Sequence, residues 1–191
     1  MIPMLWYNIV MLEHRMKLNL CPYYTTQPQE LSSMSFERRI DMDIGSGKSY
    51  PSNALSNFAP HPFEIDGVVC NSMEGFLQSL KFKNIDMQKH ICTLVGREAK
   101  FSGKKKKWWI TQTLWWGGVE IDRHSQDYQN LLERAYRELL KNSGFKNALL
   151  ATRNSSLTHS IGKNDLHRTV LTENEFCGLL LKLRKEINYG K

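Results

Sequence analysis

The stretch from Phe63 to Phe82 restricts the fold more than any other part of the chain. Phe63-Glu64-Ile65 and Val68-Val69-Cys70 flank Asp66-Gly67, a pair that tolerates positive φ and closes a two-residue hairpin. The period then changes. From about Ser72 to Lys83, Met73, Phe76, Leu77 and Leu80 recur at i, i+3, i+4 and i+7, the apolar stripe of a helix. A small hairpin followed at once by an amphipathic helix points to an α+β fold.

The remaining punctuation adds helices. Pro51, Pro60 and Pro62 keep the segment before Phe63 looped. Asp86 is expected to cap a helix carrying Met87, Ile91, Leu94 and Val95 and ended by Gly96. Ser125 opens a longer helix with Tyr128, Leu131, Leu132, Ala135 and Leu139 inward and Gly144 just past its end. Thr172-Glu173-Asn174-Glu175 is a capping box, and the helix it opens buries Phe176, Leu179, Leu180 and Leu183. The expectation is a compact, helix-rich α+β domain over residues 43–191. Residues 1–42 carry recurrent methionines and no convincing capped element beyond a weak helix in Ile9 to Leu20. They are expected to be a poorly ordered extension, with a natural start near Met42.

The chain of 191 residues carries a net charge of +7, so an anionic partner or substrate is expected. No apolar run approaches the ~18 residues of a membrane span. Cys21, Cys70, Cys92 and Cys177 form neither a Cys-x-x-Cys pair nor a zinc-like cluster, and reduced thiols in a cytoplasm are expected. Gly45-Ser46-Gly47-Lys48-Ser49 imitates a phosphate-binding loop. It lacks the earlier glycine, which is Met42, and Tyr50-Pro51 opposes the helix that should follow. It is expected to be a plain loop.

Three features carry chemistry. Glu74, Gln78 and Lys81 share one stripe of the Ser72 helix, fit for a phosphorylated ligand, while spacing alone favours capping and solvation. Lys104 to Lys107 abut Trp108-Trp109, with Trp115-Trp116 beyond. Such a run serves either nucleic-acid binding or a solvated face over core indoles. His159 stands before Ser160-Ile161-Gly162-Lys163-Asn164-Asp165 with no triad arrangement in view.

Taken together these residues resemble the NADAR (YbiA-like) family of N-glycosidases, and most nearly its small tailed-phage members. The likeness begins at Leu55-Ser56-Asn57-Phe58 and runs through Ile65-Asp66-Gly67 to Ser72-Met73-Glu74-Gly75-Phe76-Leu77-Gln78-Ser79-Leu80-Lys81-Phe82. It resumes at Gly96-Arg97-Glu98-Ala99-Lys100, Gly103 and Trp109, and again in Leu149-Leu150-Ala151-Thr152 and the last helix. The resemblance implies a compact, mainly helical fold and a hydrolase that cleaves N-glycosidic bonds without metal or redox cofactor. It implies Glu74 as the catalytic carboxylate, with Asp165 as a second acid. Trp109, or Trp108 beside it, would stack on the ligand, and Gln78, Lys81, Arg97 and Lys100 would hold ribose and phosphate. Asn57, Phe58 and His159 complete the expected substrate-binding set. The segment departs from the family pattern at Leu157-Thr158-His159 and at Ser160-Ile161-Gly162, which has no tryptophan.

The expected substrate is therefore a phosphorylated nucleoside-like small molecule or ADP-ribosylated nucleic acid, in a host cytoplasm if phage-encoded. A non-catalytic ADP-ribose or nucleotide reader and a basic nucleic-acid-binding protein are the alternatives.

Overall fold

Six helices and three two-stranded sheets make up residues 41–189, the part of the chain described by a computed structural model. The expected extension lies outside the described residues up to position 40. Strand β1 (Asp41–Asp43) starts two residues before the expected boundary and pairs in parallel with β6 (Ser156–Thr158), Met42 opposite Leu157.

The hairpin forms as expected: β2 (Phe63–Ile65) pairs antiparallel with β3 (Val68–Cys70), and Asp66 and Gly67 both take positive φ at the turn. Asp66 does more than turn. Trp116 Nε1 donates to it at 2.8 Å and Arg134 meets it with two nitrogens, fastening the hairpin tip to two other elements.

Helix α1 (Met73–Ser79) is buried along its entire length. Ser72 caps it by accepting from the Gly75 N–H, and the Ser72 hydroxyl donates in turn to Leu94 O. The helix stops short of the expected Lys83 because another strand claims its last carbonyl: Trp115 N–H donates to Leu80 O at 2.8 Å. A Cβ on Gly75 would lie 2.8 Å from Leu94 O and 2.9 Å from Ile91 O, so only glycine lets α1 lie this close to the neighbouring backbone.

Helix α2 (Ile85–Cys92) is capped by Asn84, whose side chain accepts from Met87 N–H, and not by Asp86. That shift turns Met87 outward, 42% exposed, while Ile91 is buried. Gly96 does not close α2. With φ +54 it opens α3 (Gly96–Ser102), which the sequence did not announce as a helix.

A second hairpin, β4 (Thr113–Trp116) and β5 (Val119–Asp122), turns at Gly117-Gly118, both with positive φ. It places Trp116 in the core, edge-on to Phe76 at 5.0 Å, and leaves Trp115 half-buried under the Lys83 ammonium. Helix α4 (Gln126–Leu139) begins at the Ser125 cap and buries the expected stripe. It ends before Gly144, because Asn142 caps a further helix, α5 (Ser143–Ala151), that contains this glycine. Helix α6 (Glu173–Tyr189) opens with the expected reciprocal box: Glu175 accepts from Thr172 N–H, and Thr172 Oγ1 accepts from Glu175 N–H. None of these helices is long and apolar enough to cross a membrane.

The loop from β6 to α6 has little regular structure, and one buried cation holds it. Arg123, 0% exposed, grips both oxygens of Glu175 at 3.0 and 2.7 Å, stacks on Tyr128 at 4.7 Å, and donates through Nε to Thr169 O. Tyr128 OH donates to Val170 O. Glu175 is held below the ordinary carboxylate range: burial opposes ionisation, and bonds from Arg123, Thr172 and Gln129 together outweigh it. Removing one partner of a buried pair strands the other. Arg123→Ala is expected to cost about 3–5 kcal/mol in urea unfolding, and Arg123→Met with Glu175→Leu together markedly less. A single-variant loss below about 1 kcal/mol, the range of exposed pairs, would show that the pair does not hold the loop.

Candidate active site

Helix α1, the end of α3, the 56–58 segment and the β6–α6 loop surround a cavity of about 400 Å³. From α1 come Glu74, Leu77 and Gln78, with Lys81 just beyond its end. Lys100, Trp108, Asn57, Phe58 and His159 also line it, so eight of the expected site residues meet in one place.

Glu74 is only 4% exposed, because its helix is buried and its N–H is tied to Asn57 O at 2.8 Å. Its Oε1 accepts from Gln78 Nε2 at 2.8 Å and is ion-paired with Lys100 Nζ at 3.3 Å. Lys81 Nζ donates to Gln78 Oε1 at 2.7 Å. This orders the amide unambiguously, nitrogen to the carboxylate and oxygen to the ammonium. Oε2 of Glu74 has no protein partner among the described residues, and it is not sealed away, since no buried side-chain oxygen there lacks a partner. A carboxylate is thus positioned through one oxygen and left open through the other.

Neighbours tune this centre. Burial, then the positive charge of Lys100, pull the Lys81 ammonium down to about 8, partly offset by Glu74. Tyr136 donates to Asn57 Oδ1 at 2.7 Å, and burial with the nearby Glu74 charge pushes its phenol well above the ordinary range. His159 Nδ1 lies 2.7 Å from Ile44 O. A carbonyl only accepts, so Nδ1 carries a proton.

Three expected site residues stand elsewhere. Asp165 is exposed and accepts from His167 N–H, the work of a turn residue. Arg97 is exposed one turn before Lys100, because α3 reaches Glu74 only with its last turn. Trp109 does not line the cavity whereas Trp108 does, since successive side chains of their 3-10 turn (Trp108–Ile110) point in different directions.

Lining residues outside the expected set include Ser46, Lys163, Arg168 and Thr169. Ser46 belongs to the glycine-rich loop, which is a loop as expected, with Lys48 paired to Asp43 at 3.0 Å. The lysine run is exposed, and two of its ammonium groups sit over phenylalanines: Lys104 over Phe101 and Lys106 over Phe82.

The family model for bacteriophage protein GP30.3 matches residues 49–185. The chain belongs to this family. A relative from Enterobacteria phage T4, the 17.1 kDa protein of the Gp30–rIII intergenic region, is 39% identical over 153 residues, covering 77% of this chain and 99% of its own. The NMR structure of the Escherichia coli protein YbiA superposes with a TM-score of 0.53 at 16% identity, over 81% of this chain and 91% of YbiA. The YbiA-like α+β fold read from the sequence is therefore the fold of this phage-protein relative.

Within this YbiA-like fold, Gly103 packs directly on the Gln78 amide that lies between Glu74 and Lys81. A Cβ there would stand 2.1 Å from Gln78 Oε1 and 3.0 Å from Lys81 Cδ. Gly103→Ala is expected to cost about 1–3 kcal/mol by overpacking, measured by urea midpoint, and the cost should shrink in a Gln78→Ala background. Strict additivity would place the strain elsewhere.

The depressed Lys81 gives a second test. Between about pH 8 and the ordinary 10.5 the unfolded chain keeps this proton and the folded protein has lost it, so its contribution makes stability rise with pH. The stability difference between the protein and Lys81→Met should change across pH 8 to 10.5 in that sense. A constant difference would contradict the assigned burial of the ammonium.

Proposed function

We propose that the protein is an N-glycosidase that hydrolyses the bond between a base and a phosphorylated ribose, either a phosphoribosylated or an ADP-ribosylated base. The observation that carries this reading is a buried carboxylate with one open oxygen, Glu74, in a cavity that also presents Lys81, Lys100, Lys163 and Arg168.

Breaking a C1′–N bond concentrates positive charge on the ribose ring. Glu74 is the group suited to oppose that charge, and its Oε2 is available to accept a proton from water. The balance is simple. The water oxygen bonds to C1′, the C1′–N electron pair leaves with the base, and the proton taken from water ends on the base nitrogen. Gln78 and Lys100 hold the carboxylate so that its open oxygen keeps one direction, which supplies positioning. The cations neutralise phosphate, and the Trp108 indole offers a face for the base. Membership in a NADAR-like family and the YbiA-like fold support the same reading.

One observation favours a second reading. Glu74 is the sole carboxylate among the described residues lining the cavity, whereas glycoside hydrolysis commonly uses two. A non-catalytic module that binds ADP-ribose or a nucleotide needs only the cations.

The deciding experiment offers the protein phosphorylated N-ribosides and ADP-ribosylated DNA and follows base release by chromatography. Glu74→Gln is expected to lower kcat by about 10²-fold or more, with KM changed only a few-fold. Full activity in that variant would remove Glu74 from catalysis. Tight ADP-ribose binding with no release from any substrate would establish the binding module instead.

A further inference from the structure

We propose that Arg168, seated on the Trp109 indole, is a phosphate-binding arm of the cavity, and that Trp109 serves as a positioning residue for it and not as a stacking surface for the base. The inference rests on the reading of this cavity as the ligand site and names a group of the ligand that it recognises.

Arg168 lines the cavity, and its guanidinium lies 5.5 Å from the Trp109 ring centre, within cation–π reach. The contact holds the guanidinium beside the indole face and leaves its edge donors free among the described residues. None of those donors meets an acceptor among the described residues, and no carboxylate pairs with the group there. A planar, oriented, unpaired fork of N–H donors is the geometry that receives two oxygens of one phosphate. A lysine would lack it.

The backbone on either side of Arg168 is clamped. Gln112 Nε2 donates to Trp109 O at 2.6 Å and to His167 O at 3.0 Å, joining the backbone that carries the indole to the residue before the arginine. Both partners are carbonyls, so Gln112 Oε1 must be the acceptor, and His124 Nε2 donates to it at 3.0 Å. On the other side the buried Arg123 holds Thr169 O. Gln112 itself takes φ +56, a conformation that side-chain-bearing residues rarely adopt. These contacts fix the backbone on both sides of an exposed arginine whose guanidinium meets no acceptor among the described residues. With Lys163 on the same loop, this wall supplies cations independent of Lys81 and Lys100.

Calorimetric titration with inorganic pyrophosphate tests the proposal without requiring any bond to break. The protein is expected to bind pyrophosphate, and Arg168→Gln to weaken binding by about tenfold or more, as for a charge-assisted bidentate pair. Arg168→Lys should recover only part of the loss. Trp109→Leu and Gln112→Ala should each weaken binding several-fold, and neither should weaken it further in an Arg168→Gln background. Trp109 also packs on the core; should Trp109→Leu fail to fold, the Gln112→Ala cycle decides the same point. Absence of pyrophosphate binding, an unchanged Arg168→Gln affinity, or an undiminished Gln112→Ala effect without Arg168 would each overturn the proposal. The two readings separate cleanly. Arg168-dependent pyrophosphate binding with no base release removes the glycosidase and keeps the arm. Base release with an unaltered KM in Arg168→Gln removes the arm and keeps the glycosidase.

Discussion

The rest of the molecule depends on the buried ion pair between Arg123 and Glu175. An arginine with no solvent exposure is costly unless every charge and donor is met, and here the match is nearly complete: carboxylate fork, carbonyl and aromatic face. Glu175 is at once the reciprocal member of the α6 cap and the acceptor for Gln129. The pair therefore joins the end of β5, the start of α4, the start of α6 and the irregular loop between β6 and α6. That loop carries a wall of the cavity yet buries few apolar side chains of its own. Without an internal polar anchor its backbone would have little reason to hold one course.

The other wall is fixed by close approach of backbone. Gly75 brings α1 against the carbonyls that end α2, and Asn57 O receives the Glu74 N–H. Together they bury a short helix on every face. Glu74 and Gln78, polar residues that would lie on the wet side of an ordinary amphipathic helix, are taken inside. Their polarity is met by each other and by two lysines, which is why their burial leaves no unsatisfied polar side-chain atom among the described residues. The catalytic candidate is thus a by-product of how tightly the helix packs.

What was legible in the sequence was local. The Asp66-Gly67 turn, the Ser125 cap and the Thr172–Glu175 box each depend on residues within a few positions, and each forms. What escaped notice depended on distant partners. Helix α1 stops at Leu80 because Trp115, from another strand, takes its carbonyl. Strand β1 exists because β6 lies beside it. Arg123 reads as an ordinary surface charge until its partners assemble, and Arg168 sits in no periodic pattern at all. Within the site, the stripe of Glu74, Gln78 and Lys81 was visible from helical spacing, and Lys100 through family likeness. Gly117-Gly118 is itself a hairpin signal, and of the flanking pair, open to binding or core roles from sequence, Trp116 is core.

The electrostatics of the cavity limit what it can hold. Four cationic side chains line it against one carboxylate, and Lys100 is close enough to Lys81 to lower its proton affinity. Such crowding is unfavourable in the empty protein, and burial deepens it by thinning the water that would screen it. A neutral ligand would displace more of that water and leave the repulsion in place. An anion beside Lys81 and Lys100 offsets both effects together, and the gain grows with its charge. The proposed N-glycosidase reading agrees with this charge balance, since the ribose whose charge Glu74 would oppose carries the phosphate that the cations lining the cavity suit.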